Sequence, residues 1–266
     1  MSESTAESRE RRQKIETVVL PILASAVFIA IWHVGVVASG SEIFPTPGGV
    51  LTGVRELYDK GLLGRYTMDS LMRVGAGYGL AVLVGVPLGL LMGWFPMLQA
   101  LLNSVFQMLR PISPLAWIPI VIILFGVNNT APVFLVFLAS FFPIVVSVTT
   151  GVRDVPPMYT RGGANFGLST TGILWRVVLP AALPQILTGL RLSLGVAWLV
   201  LVAAEMVSVP SGLGYLVMDA RNAGQRYDLV VASMLLIGLI GLGLDLLARR
   251  LEKLKSVRWG FLGETA

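Results

Sequence analysis

The chain contains no cysteine. That excludes a disulfide scaffold, a thiolate metal site and a cysteine nucleophile. It contains one histidine, His33, inside the first apolar run. No H-E-x-x-H pair can exist, and a Ser/His/Asp set would need its base to work from within that run. His33 therefore reads as a packed or interfacial residue, not a ligand. No Gly-Lys dipeptide occurs, so the phosphate loop G-x-x-x-x-G-K-[ST] is absent, and no acidic cluster suits a metal. Charge is scarce too. Of 266 residues 13% are charged and 55% hydrophobic, with mean hydropathy +0.79. Such a composition belongs to an integral membrane protein. The pI near 9.8 does not call for nucleic acid, because the basic residues sit at the chain ends and between apolar runs.

What is present is a series of six apolar runs, which predicts an all-α membrane domain over residues 15–248. A polar tail, 1–14, precedes it and a basic tail, 249–266, follows. The first run has the length of a true span and no clear small-residue cleavage site, so it reads as uncleaved. The spans are expected at about Ile15–Ser39, Tyr66–Trp94, Pro96–Val127, Thr130–Val152, Leu183–Val207 and Leu229–Ala248, each long enough for a ~30 Å hydrocarbon core. Between the first two, Pro45-x-Pro47 precedes an amphipathic piece with Val50, Val54 and Leu57 on one face, expected as a helix at the interface. Gly212-Leu-Gly214 lacks the strand and acidic partner of a nucleotide fold. The Tyr215–Met218 stretch after it reads as a re-entrant or interfacial helix.

Three features stand out within the spans. Gly77, Ala81, Gly85, Gly89 and Gly93 recur every four residues and form a small-residue stripe for close helix packing. Asp69 and Arg73, four apart near that span's outer end, are expected to pair, as are Asp245 and Arg249. The third span is broken at Arg110-Pro-Ile-Ser-Pro114, and a broken helix is tolerated where it is buried or lines a cavity. Asn103, Gln107 and Arg110 share a face there, with Ser113 and Trp117 beyond the kink. Arg110 lies ~20 Å from the helix start, near mid-membrane. It either lines a substrate path or holds the kink by pairing with an acid or free carbonyls. A guanidinium among amides suits a planar oxyanion, which makes Asn103, Gln107, Arg110, Ser113 and Trp117 the candidate path. Glu205 is expected at the outer interface, paired with Arg221, or else on that path.

Residues 153–180 form a polar interruption before the fifth span. Two short helical pieces, Pro157 to about Phe166 and Thr170 to Val178, are expected to meet at Gly167, with Pro180 and Pro184 opening the next span. A loop of this length with its own helices is a docking surface or a plain re-entrant elbow. Lys and Arg number twelve on the side holding this loop and both termini, and five on the other. Both termini and the loop are therefore expected in the cytoplasm.

The same stretch resembles the coupling loop of an ABC importer permease, whose pattern reads E-A-A, three residues, G, nine residues, I-x-L-P. The glycine falls on Gly167, and Val177, Val178, Leu179 and Pro180 close the pattern. Arg161, Gly162 and Gly163 stand where E-A-A would be. The stretches LRPISPLAWIPIVIILFGV, WLVLVAAEM, SGLGYLVMDARN and GLGLDLL…RWG resemble the nitrate, sulfonate and taurine branch of these permeases. The resemblance implies a type I permease in the bacterial inner membrane, working as a dimer. Its partners would be two ATPase subunits that hold ATP and Mg, and a periplasmic or lipid-anchored binding protein. It also implies that Tyr159, Arg161, Gly162, Gly163, Asn165, Phe166, Gly167, Trp175 and Pro180 couple to the ATPase, with no catalysis or cofactor in this chain. The rival reading is a secondary anion transporter or channel, although no internal repeat or mid-span acid supports it.

Overall fold

The computed structural model describes residues 19–40, 43–222 and 224–252. The N-terminal tail, the first residues of span one and the basic tail from residue 253 lie outside the described residues. In lipid a backbone must satisfy its own hydrogen bonds, and the apolar runs do so as helices. In order these are α1 Leu20–Ser39, α2 Pro47–Asp59, α3 Leu62–Trp94, α4 Pro96–Leu109, a 3₁₀ turn Pro114–Trp117, α5 Ile118–Phe125, α6 Thr130–Arg153, α7 Pro157–Asn165, α8 Thr170–Ile173, a π turn Leu174–Val178, α9 Leu179–Ser208, α10 Leu213–Asn222 and α11 Tyr227–Glu252. No strand occurs among the described residues. Five continuous helical stretches are long and apolar enough to cross a membrane, and α4 with the Pro114–Phe125 segment forms a further pair bent by 78°.

Helix directions decide that the bent pair is the sixth crossing. Gly77 faces Val133 and Val136, Gly85 faces Ile144, and Gly93 faces Val152, so α3 and α6 run parallel. Trp94 and Arg153 therefore end on the same side, and only the bent pair can carry the chain back to the start of α6. α9 then returns antiparallel, with Gly189 on Ser147 and Ala204 clustered with Ala131 and Leu135. α11 runs antiparallel to α9, since Gly241 packs on Trp198 and Asp245 reaches Arg191 at 2.7 Å. The expected Asp245–Arg249 pair also forms, at 2.8 Å.

The glycine stripe of α3 is the tightest seam in the bundle. A Cβ on Gly89 would lie 2.6 Å from Val148 Cβ and 2.9 Å from the Val145 carbonyl oxygen. Thr149 donates a hydrogen bond across the seam to the Gly89 carbonyl at 3.2 Å. Since lipid gives helices no hydrophobic reason to associate, such contact is what holds them. Gly89→Ala is expected to cost roughly 1–3 kcal/mol by overpacking. Gly79, with nothing within 4 Å of its would-be Cβ, should accept alanine freely. Thermal unfolding of the two variants in detergent checks this. Equal midpoints would remove the seam's special role.

Two expectations are corrected here. The fifth span does not begin at Leu183: α8, the π turn and α9 form one continuous helix, Thr170–Ser208, of 39 residues. Pro180 has no N–H and its ring crowds the carbonyl of Arg176, so a helix passing through it must widen. The π turn at Leu174–Val178 supplies that widening. The amphipathic piece, α2, does not rest on lipid headgroups alone. Its buried Val50 and Leu57 cluster with Leu216 and Ala232, and Gly53 lies against the Asp228 carbonyl. Arg226 ties Glu56 at 2.5 Å and Asp228 at 2.7 Å. The Arg226 guanidinium and the Lys60 ammonium hold the Glu56 carboxyl below its ordinary value.

Candidate translocation cavity and coupling surface

α4 carries two faces because its polar residues fall three and four apart. Gln99, Asn103, Gln107 and Arg110 line a cavity of about 250 Å³ whose opposite wall is α6, at Val145, Val146, Thr149 and Thr150. Met92, Phe106 and Val145, a small buried cluster of their own, back it, while Asn103, Gln107, Arg110 and Thr150 are exposed on its open side. Arg110 stands at the corner between this cavity and a second of about 210 Å³, lined by Pro114, Trp117, Leu138, Phe142 and Pro143. The kink places it beside Phe142, Pro143 and Val145, close to the middle of the 24-residue α6. Among the described residues no carboxylate pairs with Arg110, and its side chain makes no hydrogen bond. The proposed pairing at the kink with an acid or a carbonyl is not found there.

The structure thus brings Asn103, Gln107 and Arg110 onto one cavity and Trp117 beside Arg110 in the next. Ser113 is exposed at the start of the 3₁₀ turn and lines neither. Gln99, Thr149 and Thr150 were missed in the sequence. Gln99 continues the α4 face one turn earlier and was legible. The α6 threonines were not, since nothing local shows which helix lies opposite.

Glu205 sits elsewhere, fully buried, and the expected Arg221 partner is wrong. Arg73 Nη1 donates to Glu205 Oε1 at 2.6 Å and to the Ser211 carbonyl at 2.9 Å. Its Nε and Nη2 donate to Asn129 Oδ1 at 3.1 and 2.7 Å, and Nη2 also reaches Ser211 Oγ. Ser70 Oγ bonds both Glu205 oxygens at 2.9 and 2.8 Å and accepts from Leu213 N at 3.0 Å. Gly214 N donates to Glu205 Oε2 at 3.1 Å. The expected Asp69–Arg73 pair does not form, because Arg73 turns inward to these partners. Gly212, at φ +102, lets the loop pass so close that a Cβ would lie 2.3 Å from Glu205 Oε1. The hub joins α3, α6, α9 and the start of α10 near the end of the bundle opposite the coupling loop. It belongs to the scaffold and not to either cavity.

The coupling stretch ends its first helix by a glycine cap. Gly167, at φ +78, lets Leu168 N bond the Gly163 carbonyl at 3.1 Å and Gly167 N bond the Ala164 carbonyl at 2.9 Å, the paired closure of a left-handed C-cap. Ser169 Oγ then caps α8 by accepting from Gly172 N at 3.2 Å. Gly163 is buried against Val177 and Ile173, so the two short helices pack together. Between them lies an apolar groove of about 570 Å³, lined by Met158, Tyr159, Gly162, Gly163, Phe166, Arg176 and Pro180 among others. Phe166 is 90% exposed and Trp175 62%. Of the expected coupling residues Arg161, Asn165, Gly167 and Trp175 lie outside the groove, all exposed. Two large aromatics are thus held out at the coupling-loop end of the bundle.

Comparison with known proteins fits this geometry. Residues 85–257 match the family described as binding-protein-dependent transport system inner membrane component. The bicarbonate transport system permease protein CmpB of Synechococcus elongatus is 37% identical over 247 residues, 88% of each chain. The nitrate import permease protein NrtB of Synechocystis is 34% identical over 271 residues, 96% of this chain and 98% of that one. The taurine transport system permease protein TauC of Escherichia coli is 36% identical over 245 residues, 89% and 88% of the two chains. An inward-facing structure of the methionine ABC transporter MetNI shares the fold, with a TM-score of 0.63 over 76% of this chain and 97% of that one at 16% identity. Fold, coupling loop and relatives agree: the chain belongs to the family of binding-protein-dependent inner-membrane transport components, as a permease of the nitrate, sulfonate and taurine branch of ABC importers.

Proposed function

We propose that this chain is one half of a permease homodimer that carries a small oxyanion inward, with Arg110 as the cation the anion meets at the kink. The observation that carries the reading is Arg110 itself, a guanidinium at the break after α4 with no acid beside it, set among amides whose uncharged hydrogen bonds suit a planar oxyanion. Nitrate, bicarbonate and taurine, the cargoes in the relatives' names, each present an oxyanion group. The path takes in Asn103, Gln107 and Trp117 along with Arg110; Ser113, which lines neither cavity, is left out. Glu205 is left out of it, being spent on Arg73.

The driving force comes from outside this chain. Two cytoplasmic ATPases, which hold the ATP and Mg, dock on the groove around Phe166 and Tyr159, and a substrate-binding protein docks at the opposite face. Because α7 packs on the start of the 39-residue helix, a push at the coupling surface is carried about 58 Å along one rigid rod. The greater number of Lys and Arg on the coupling-loop side supports placing that side, with both termini, in the cytoplasm. Arg110→Ala is expected to lower uptake of the native anion roughly 10- to 100-fold, the size of a lost hydrogen bond to a charged group, without lowering the amount of permease in the membrane. Uptake and selectivity unchanged in that variant would refute the path. Gentle purification should bring an ATPase along at about one per chain, whereas a chain that comes alone and conducts anions in vesicles without ATP would be a secondary transporter.

A further inference from the structure

The ion pairs between α9 and α11 leave particular groups unused. Arg191 Nε donates to Asp245 Oδ1 at 2.7 Å and its Nη1 to Glu252 Oε2 at 3.2 Å. Arg249 Nε donates to the other Asp245 oxygen at 2.8 Å. Among the described residues, Arg191 Nη2 and both terminal nitrogens of Arg249 then have no protein acceptor. Glu252 Oε1 is buried with no donor. A buried carboxylate oxygen costs free energy while it is unmet, so the cluster calls for a ligand that accepts from guanidinium and donates to carboxylate. Its four side chains carry two positive and two negative charges, a balance that only a ligand of no net charge preserves. Beside them opens a slot of about 210 Å³, lined by Arg191, Leu194, Gly195, Trp198, Gly241 and Asp245 among others. It follows α9 for two turns, ~10 Å, from Arg191 to Trp198, whose Nε1 donates to the Ile237 carbonyl at 3.2 Å. Leu192 and Leu242 are exposed on the two helices that form it. The slot thus lies within apolar surface, in the half of the membrane next to the coupling loop, with the charged cluster at its coupling-loop end.

We propose that this slot is a lipid site, holding one acyl chain of a phospholipid whose phosphoethanolamine headgroup sits on Arg191, Arg249 and Glu252. The phosphate oxygens accept from the spare N–H groups of the two guanidiniums, and the ammonium donates to Glu252 Oε1. Charged cluster and apolar slot follow one another in the order a lipid requires, head toward the coupling-loop end and chain toward mid-membrane. A helix is too large an occupant, since a single turn about 10–12 Å across takes up roughly 400 Å³ or more. A phospholipid without the ammonium would leave Glu252 Oε1 unmet and add a negative charge that nothing in the cluster balances. The site shares no residue with the cavity at Arg110 and does not depend on the oxyanion path.

Dioleoyl phosphatidylethanolamine, phosphatidylcholine and phosphatidylglycerol test this. They share chains and phosphate, but the choline has no N–H to donate and the glycerol no positive charge. The permease purified with its ATPase is washed free of lipid in detergent and given the three in equal amounts, and bound lipid is counted by native mass spectrometry. The expected result is one phosphatidylethanolamine per permease chain, favoured at least about 10-fold over each of the others. Gly195→Leu puts a side chain into the slot, where nothing lies within 4 Å of the would-be Cβ, and should remove the bound lipid. Gly238→Leu adds the same bulk to α11 outside the slot, also in open space, and should leave binding unchanged. Glu252→Gln gives the cluster a net positive charge and should shift the preference toward phosphatidylglycerol. Intact assembly on size exclusion shows that each variant is folded. No retained lipid, equal retention of the three, or binding indifferent to Gly195→Leu would overturn the inference. So would a Gly195→Leu protein that stays folded but no longer pairs, which would make the slot a contact between copies of this chain.

Discussion

Glu205→Ala is expected to cost the folded permease about 3–5 kcal/mol, the usual penalty for leaving one buried charge without its partner. Arg73 would keep Asn129 and Ser211 but lose the only carboxylate bonded to it among the described residues. Ser70, Gly214 N and the entry to α10 would lose their acceptor too. The fall in thermal midpoint should be on the order of 10 °C, judged from the entropy of unfolding of domains this size. Glu205→Gln keeps the shape and part of the hydrogen bonding, and should fall between wild type and alanine. The informative variant is the double substitution Arg73→Met with Glu205→Leu. A buried ion pair replaced by apolar residues of similar volume is often close to neutral, so the double variant should be more stable than Glu205→Ala alone. It will not reach wild type, because Asn129 and the Ser211–Gly214 backbone lose their partners. Thermal unfolding in detergent measures all three. A Glu205→Ala protein with an unchanged midpoint would show that the hub carries no stability.

That hub marks where the sequence could be read and where it could not. Hydropathy located the six crossings to within a few residues at most ends, since length and apolarity are all the bilayer asks of a span. The glycine stripe could be read because close packing leaves a one-residue signature every turn, and the break at Arg110 because proline cannot hide. The pairing of Arg73 could not. The local rule for charges four apart pointed to Asp69, but such pairs contribute only tenths of a kcal/mol. Glu205, 132 residues away, offers a buried partner that the membrane makes far more valuable. A better reading would have begun from the cost: two ionisable groups set in spans, Arg73 and Glu205, must each find an opposite charge, and a Gly-x-Gly just past Glu205 lets a backbone come close to it. The π turn escaped for a different reason. Pro180 and Pro184 look the same in sequence whether a helix begins at them or widens to pass through.

Gly167→Val should separate coupling from folding. The residue sits at φ +78, where a β-branched side chain is strained by roughly 1–2 kcal/mol or more, yet nothing lies within 4 Å of its would-be Cβ. The strain is therefore conformational and local. It opens the paired cap bonds from Gly167 N and Leu168 N and re-aims α7 against α8, while the spans keep their contacts. The groove between the short helices, with Phe166 and Tyr159 on its rim, would change shape without any side chain in it being altered. Transport should fall at least about 10-fold, the equivalent of 1.4 kcal/mol lost where the rod meets its driver. ATP hydrolysis should become insensitive to substrate, and permease in the membrane should stay near the wild-type amount. Gly167→Asn is the control that assigns the cause, since asparagine enters the left-handed region more easily than other side chains and should restore most of the transport. If the valine variant instead vanished from the membrane, Gly167 would be a folding residue. If valine and asparagine failed alike, the small side chain and not the backbone angle would be what the ATPase reads.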